Sequence, residues 1–216
     1  MTVTDELALL LHAPSGRRLV ARPTLPRLLG GAQLVDLVLA GRVALAGGRS
    51  HVQVLHRIST GDPVLDVALD RVPAAATVPA ALAALRPGSV ERVMTHLVAA
   101  GAVTAARPRV SLLVRDPHWP SADPTRRAAL VARLRATLLD GAAPTDRDAA
   151  LAALLDAGGA LPGIVGGSRR ALRRRATEIA TVDGVPAAAR QAVVTARAVR
   201  LAVVATGAAT AGRAGG

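Results

Sequence analysis

Leucine, valine and alanine recur at helical spacing along most of the chain. They come in short blocks set apart by Gly, Pro and small polar residues. Leu7–Leu11, after Thr4-Asp5-Glu6, reads as a short helix capped by Thr4. Pro14-Ser-Gly16 ends it in a turn, and Leu19-Val20 reads as a short strand. Leu34, Leu37 and Val38 place a helix over Leu28–Ala40, with Gly41 as its C-terminal stop. Val43 and Leu45, then Val52 and Val54, alternate across Ala46-Gly-Gly48 and predict a hairpin.

Gly61-Asp62-Pro63 opens a further helix, with Pro63 in its first turn and Leu65, Ala68 and Leu69 on its buried face. A short helix follows over Pro79–Leu85. After Pro87-Gly88, a helix capped by Ser89 runs to Ala100 and stops at Gly101. Val103 and Val110–Val114 suggest a second hairpin. Asp123-Pro124 opens a long amphipathic helix to Leu139, and Thr145 with Asp148 forms a capping box for one ending near Asp156. Gly163–Gly167 reads as a hinge-like break, and Arg169–Ala180 and Ala187–Thr206 as the last helices. Leu37-Val-Leu-Ala-Gly-Arg-Val43 echoes Leu97-Val-Ala-Ala-Gly-Ala-Val103. The helix-Gly-hairpin unit also occurs in winged-helix DNA-binding domains, but so short an Ala-rich match reads as convergent local structure. The expected architecture is mainly α: a compact single-domain helical bundle over 1–206 with one or two small β-hairpins. A disordered tail of small residues is expected over 207–216.

Composition narrows the chemistry. Mean hydropathy is +0.37, yet Phe and Tyr are absent and Trp119 is the sole aromatic residue, so the core must be Leu, Val and Ala. With no Cys, disulfides, zinc-thiolate sites and thiol nucleophiles are excluded, which fits a reducing cytoplasm. The acidic start is no signal peptide, and the apolar stretch Ala192–Gly207 is broken by Arg197 and Arg200. No transmembrane segment is expected. All 27 basic residues are Arg, and the net charge of +12 favours anionic partners, either lipid head groups or nucleic acid.

No catalytic set stands out. His12, His51, His56, His96 and His118 form no metal-binding spacing, and His96 reads as a partly buried structural histidine. Gly163–Arg170 lacks the Lys and spacing of a phosphate loop, although Ser168 suits the cap of the next helix. Arg169, Arg170, Arg173, Arg174 and Arg175 form either a phosphate-docking face or a solvated helix face. Arg126, Arg127, Arg133 and Arg135 read as the polar side of a surface helix. Trp119 reads as a core plug beneath a loop in preference to a membrane-interface anchor.

Several stretches together resemble the Golgi phosphoprotein 3 family. Asp5-Glu6-Leu-Ala-Leu-Leu-Leu11 is similar to its acidic-then-leucine opening, and Gly31–Val43 to its first core helix. Thr60-Gly-Asp-Pro-Val-Leu-Asp66 is similar to its most distinctive stretch. Val90–Val103 and Pro120-Ser-Ala-Asp-Pro124 follow in order, and the likeness fades after about residue 156. The resemblance implies a compact helical domain with a hairpin, no cofactor, and a non-enzymatic role. Eukaryotic members bind phosphatidylinositol 4-phosphate and retain glycosyltransferases in the Golgi. The positions matching their head-group site read Ala21, Gly30, Pro87 and Val90 here, and none carries the family residue, so that site is not transferred. The neighbouring Arg22, Arg27, Arg86 and Arg92 are the candidate replacements for an anion pocket. The expected protein is cytoplasmic and lies on the inner face of a membrane, with anionic lipid and a membrane-enzyme client as its candidate partners. A winged-helix-like nucleic-acid binder is the rival reading.

Overall fold

The computed structural model describes residues 1–46, 50–105, 118–179 and 194–201. The fold is built around α2 (Leu25–Leu39), which is buried without interruption from Leu28 to Val38. Packed around it are α1 (Val3–Leu10), α3 (Pro63–Arg71), α4 (Val78–Leu85), α5 (Ser89–Ala99) and α7 (Asp146–Ala157). An outer set, α6 (Pro124–Leu138), α8 (Leu161–Val165) and α9 (Arg169–Ile179), covers α7 and the open side of α1. Residues 194–201 are helical as well. The architecture is mainly α, as the apolar spacing predicts.

Two glycines explain how a core without large aromatic residues closes. A Cβ at Gly30 would lie 3.3 Å from Leu85 Cβ, and one at Gly31 would lie 2.3 Å from Val199 Cγ1. Their absence lets α4 and helix 194–201 approach the α2 backbone. Shallow Leu, Val and Ala side chains then fill the remaining gaps. Each fully buried Leu or Val contributes about 1.5–3 kcal/mol, and Leu28, Leu29, Leu34 and Leu37 of α2 are completely enclosed.

Most helix boundaries follow the punctuation. Asp62 caps α3 ahead of Pro63, and Asp123 caps α6 ahead of Pro124. Thr145 and Asp148 form the expected capping box of α7. Gly41 leaves α2 with φ +65°. At two helix starts the local signal points one way and the fold another. Thr2, not Thr4, caps α1, in a capping box with Asp5. Thr4 is already inside the helix and turns to Asp36 on α2. Ser89 is the first residue of α5 and its hydroxyl donates back to Arg86 C=O at 2.9 Å, while Gly88, at φ +65°, takes the cap position. The expected break over Gly163–Gly167 is present and sits at its far end: α8 passes through Gly163, and the chain turns at Gly166 and Gly167, both at positive φ. Ser168 caps α9 as expected, accepting from Ala171 N–H at 3.4 Å.

β1 (Val43–Ala46) and β2 (His51–Val54) pair antiparallel, Val43 opposite Val54 and Leu45 opposite Val52. A third strand, β3 (Ala75–Thr77), joins the other edge of β2. Its Ala-Ala-Thr sequence has no alternation to announce it. Leu19-Val20 forms no strand. Around the turn at Pro14–Gly16 the chain forms the isolated bridge His12–Arg18, with bonds from Ala13 N–H to Arg17 C=O and from Leu19 N–H to Leu11 C=O, and no ladder extends from it. The expected second hairpin falls mostly on residues 106–117, and the predicted tail on 207–216. Both lie outside the described residues.

Candidate anion-binding cleft

Arginine has two distinct uses in this fold. In the first, the guanidinium closes the C-terminal end of a helix, where carbonyls lack partners and the macrodipole is negative. Arg57 donates to Leu69 C=O at 2.6 Å and Val72 C=O at 2.8 Å, at the end of α3. Arg127 reaches His12 C=O at 2.9 Å and Leu10 C=O at 3.4 Å, at the end of α1. Arg135 donates to Val165 C=O of α8 at 2.6 Å. Arg133 instead bridges two buried carboxylates, Glu6 and Asp148. The α6 arginines are therefore not simply a solvated face: of the four singled out from the sequence, three bind other parts of the fold. Arg92 belongs to this first class. It donates to Pro87 C=O at 2.9 Å and reaches Leu85 C=O at 3.5 Å. Burial, and then the neighbouring Arg71, hold its guanidinium below the usual arginine range.

The second use is different. Arg22, Arg27 and Arg86 make no hydrogen bond or ion pair through their guanidinium groups among the described residues. All three line one open cleft of ≈ 520 Å³, together with Arg18 and Trp119. Its walls are the first turn of α2, the segment before it, the α4–α5 turn at Arg86–Gly88, and the first turn of α5. Neither α2 nor α5 has a side-chain cap, so both bring uncapped N-terminal turns, with their partial positive charge, to this cleft. Glu91 is the one carboxylate in the lining. Four guanidinium groups, two helix starts and a single acid make an environment that favours a phosphate or carboxylate ligand.

Trp119 forms one wall of the cleft and is half-buried, packing edge-on against His12 with ring centroids 5.8 Å apart. Its backbone is pinned: Thr104 N–H donates to Pro120 C=O at 2.9 Å and Ser121 N–H to Pro14 C=O at 3.0 Å. Gly16 makes this possible. At φ +83°, its missing Cβ would lie 2.6–2.8 Å from the Trp119 and Pro120 backbone. Trp119 is thus both the core plug expected from the sequence and part of the site. Its place beside Arg22 and Arg86 was hidden because it stands far from both in the chain.

Residues 3–196 match the family model of Golgi phosphoprotein 3 (GPP34). The chain belongs to the Golgi phosphoprotein 3 family. No curated protein matches it. The match extends well past residue 156, where the likeness of the individual motifs fades. It places the chain in a family not known for enzymatic activity.

Membership gives meaning to the positions that correspond to the eukaryotic head-group site. Pro87 and Val90 line the cleft, and Ala21 adjoins Arg22. Gly30 faces Leu85 too closely to carry any larger side chain without moving α4. Arg22, Arg27 and Arg86, which line the cleft, stand on nearby positions of the chain.

The family's most distinctive stretch, Thr60-Gly-Asp, is structural. Thr60 donates to Asp66 Oδ1 through its N–H at 2.6 Å and its hydroxyl at 2.7 Å, and Ser59 Oγ donates to Oδ2 at 2.6 Å. These bonds, Ser59 foremost, hold the Asp66 carboxyl below the ordinary range. Asp62 Oδ1 accepts from Val64 N–H at 2.8 Å and Leu65 N–H at 3.1 Å. Asp62 also meets Asp5 and His96, with one ligand atom of each within 4.8 Å of the others. Both carboxylates are already helix caps, so the trio reads as the junction of α1, α3 and α5. Among the described residues, no helix is long and apolar enough to cross a membrane.

Proposed function

We propose that this Golgi phosphoprotein 3 family member is a peripheral membrane protein whose cleft holds the head group of an anionic phospholipid. The observation that carries this reading is the convergence of the unpaired Arg22, Arg27 and Arg86 on one cleft. Elsewhere the fold satisfies most arginines with carbonyls or carboxylates. A cation left without a partner inside a concave site is available to a ligand. The role is binding rather than catalysis, consistent with an adaptor that brings a client to the inner face of a membrane. Arg92 is not part of the head-group set, because its Nη1 and Nη2 turn to the carbonyls of Pro87 and Leu85 and it does not line the cleft.

The rival nucleic-acid reading needs a helix free to enter a groove beside a hairpin. The helix before β1 is α2, which is buried from Leu28 to Val38 and offers no such face. The first turn of α5 carries Glu91 beside Arg92, a poor match to phosphate.

The deciding experiment is flotation with phosphatidylcholine vesicles, with and without phosphatidylglycerol, using wild type and the Arg22→Glu/Arg27→Glu/Arg86→Glu variant. Wild type is expected to float only with the anionic vesicles, less so as salt rises, and the variant not at all. Equal flotation of wild type and variant overturns the proposal.

A further inference from the structure

We propose that Arg169 and Arg170, in the first turn of α9, form a second contact with an anionic bilayer, beside the cleft. The inference rests on the reading of the cleft as a head-group site and extends it from one lipid to a docking face.

The five-arginine run divides sharply. Arg173 is tied to the buried Asp156 at 3.0 Å, and Arg174 and Arg175 share Glu178, each at 3.5 Å. Arg169 and Arg170 are exposed and make no hydrogen bond or ion pair among the described residues. Their position is electrostatically unfavourable. Two cations sit where the helix macrodipole is positive, and the first turn of α9 holds no acidic residue to compensate. A negatively charged surface would offset both effects.

Their place in the fold links them to the cleft. A Cβ on Gly158, at the end of α7, would lie 2.6 Å from Leu28 Cδ1 and 3.5 Å from Val20 Cγ1. The end of α7 therefore abuts the base of α2 and the segment that carries Arg18 and Arg22. A Cβ on the next residue, Gly159, would lie 3.7 Å from Arg169 Nη2. The guanidinium of Arg169 thus lies one residue along the chain from the point where α7 meets Leu28 of α2 and Val20, which stands between Arg18 and Arg22 in sequence. Unlike those arginines, it stands outside the concave site. One head group held in the cleft would leave Arg169 and Arg170 to meet neighbouring lipids.

Two readouts separate the sites. Trp119, as the only aromatic residue, reports on the cleft through its fluorescence, with glycerol phosphate as the soluble probe. Flotation with phosphatidylglycerol-containing vesicles reports on the whole face. Arg169→Ala/Arg170→Ala is expected to lower vesicle affinity about 30-fold, at the strength typical of two basic residues at an anionic surface. Its Trp119 response to glycerol phosphate should equal that of wild type. Arg174→Ala/Arg175→Ala removes the same charge from the same helix and should change vesicle affinity little. The second contact is overturned if the first variant floats like wild type, or if both variants lose affinity equally, which would make net charge the cause. It is also overturned if duplex DNA, rather than vesicles, binds with this dependence. If wild type responds neither to glycerol phosphate nor to anionic vesicles, the cleft reading fails and takes this one with it. Far-UV circular dichroism of each variant checks that the helices are intact.

Discussion

Asp36, near the end of α2, holds Thr4 of α1 twice: its Oδ2 accepts the Thr4 N–H at 2.8 Å and the Thr4 hydroxyl at 2.7 Å. Its Oδ1 accepts Val3 N–H at 2.9 Å. The carboxylate therefore serves as an acceptor for the first turn of α1 from another helix. Burial is the dominant influence on it and pushes its pKa up from 3.8 to about 6, against the three hydrogen bonds; nearby Asp5 pushes the same way as burial. Because the folded state binds this proton more tightly than the unfolded chain, the stabilising contribution is full below about pH 4. It is lost as pH rises through 6. The difference across that window is on the order of 3 kcal/mol for this group alone. Urea unfolding at several pH values should show stability falling between pH 4 and 7, with Asp36→Asn flattening that slope. A variant with the wild-type slope would assign the effect elsewhere.

Arg133 joins Glu6 of α1 to Asp148 of α7, with Nη2–Oε2 at 2.6 Å and Nε–Oδ1 at 2.7 Å. Both acids are almost wholly buried, while the arginine is partly in water. Arg133→Met would strand two carboxylates. A loss of about 2–4 kcal/mol in urea unfolding is expected, less than for a fully enclosed pair because the guanidinium is already partly hydrated. Arg133→Lys should recover only part of it, since one ammonium cannot repeat the forked geometry. Full recovery by Lys would show that charge alone matters here.

The family signature around Thr60 offers a test of structural against ligand-binding roles. Removing the α3 cap in Asp62→Ala should cost about 1 kcal/mol, and Asp66→Ala should loosen the turn through Ser59 and Thr60. Thermal unfolding would register both. Vesicle flotation by the folded variants should match wild type. A selective loss of lipid binding without a loss of stability would make the signature part of the site.

What could be read from the sequence divides by distance along the chain. Caps and breaks made within a few residues, such as Asp62 before Pro63 or Gly41 after α2, were legible because donor and acceptor are neighbours in sequence. The strand Ala75–Thr77 was not, because its pairing partner β2 is distant and its residues favour helix as readily as strand. Arg92 is the exception to that division: Arg22, Arg27 and Arg86 could be nominated for an anion pocket, but Arg92 turns to Pro87 and Leu85, only five and seven residues back, because the α4–α5 turn folds these carbonyls beside it. Trp119 and Arg18 entered the cleft only through the fold, brought there by the Pro14–Gly16 turn and the backbone it pins.

That turn is itself a point of failure. Gly16 has both a left-handed backbone and no room for a Cβ against Trp119 and Pro120. Gly16→Ala should cost about 1–3 kcal/mol through strain and displacement. Because Trp119 is the sole aromatic residue, its emission should shift to the red and become easier to quench with acrylamide. Unchanged emission would mean that the segment accommodates the methyl group without moving.

Gln33 presents the opposite case, a residue whose removal should help. It lies in the middle of α2, fully enclosed, and neither its Oε1 nor its Nε2 has a hydrogen-bond partner among the described residues. An enclosed amide without partners costs its lost hydration and gains little in return. Methionine has nearly the same length and shape and no polar group that must be satisfied. Gln33→Met is therefore expected to stabilise the protein by about 1–3 kcal/mol in urea unfolding. Among substitutions in so tightly packed a helix, a gain would be unusual, which makes the prediction sharp. A loss instead would mean that the amide binds something in solution, and an ordered water resolved beside it would identify the partner.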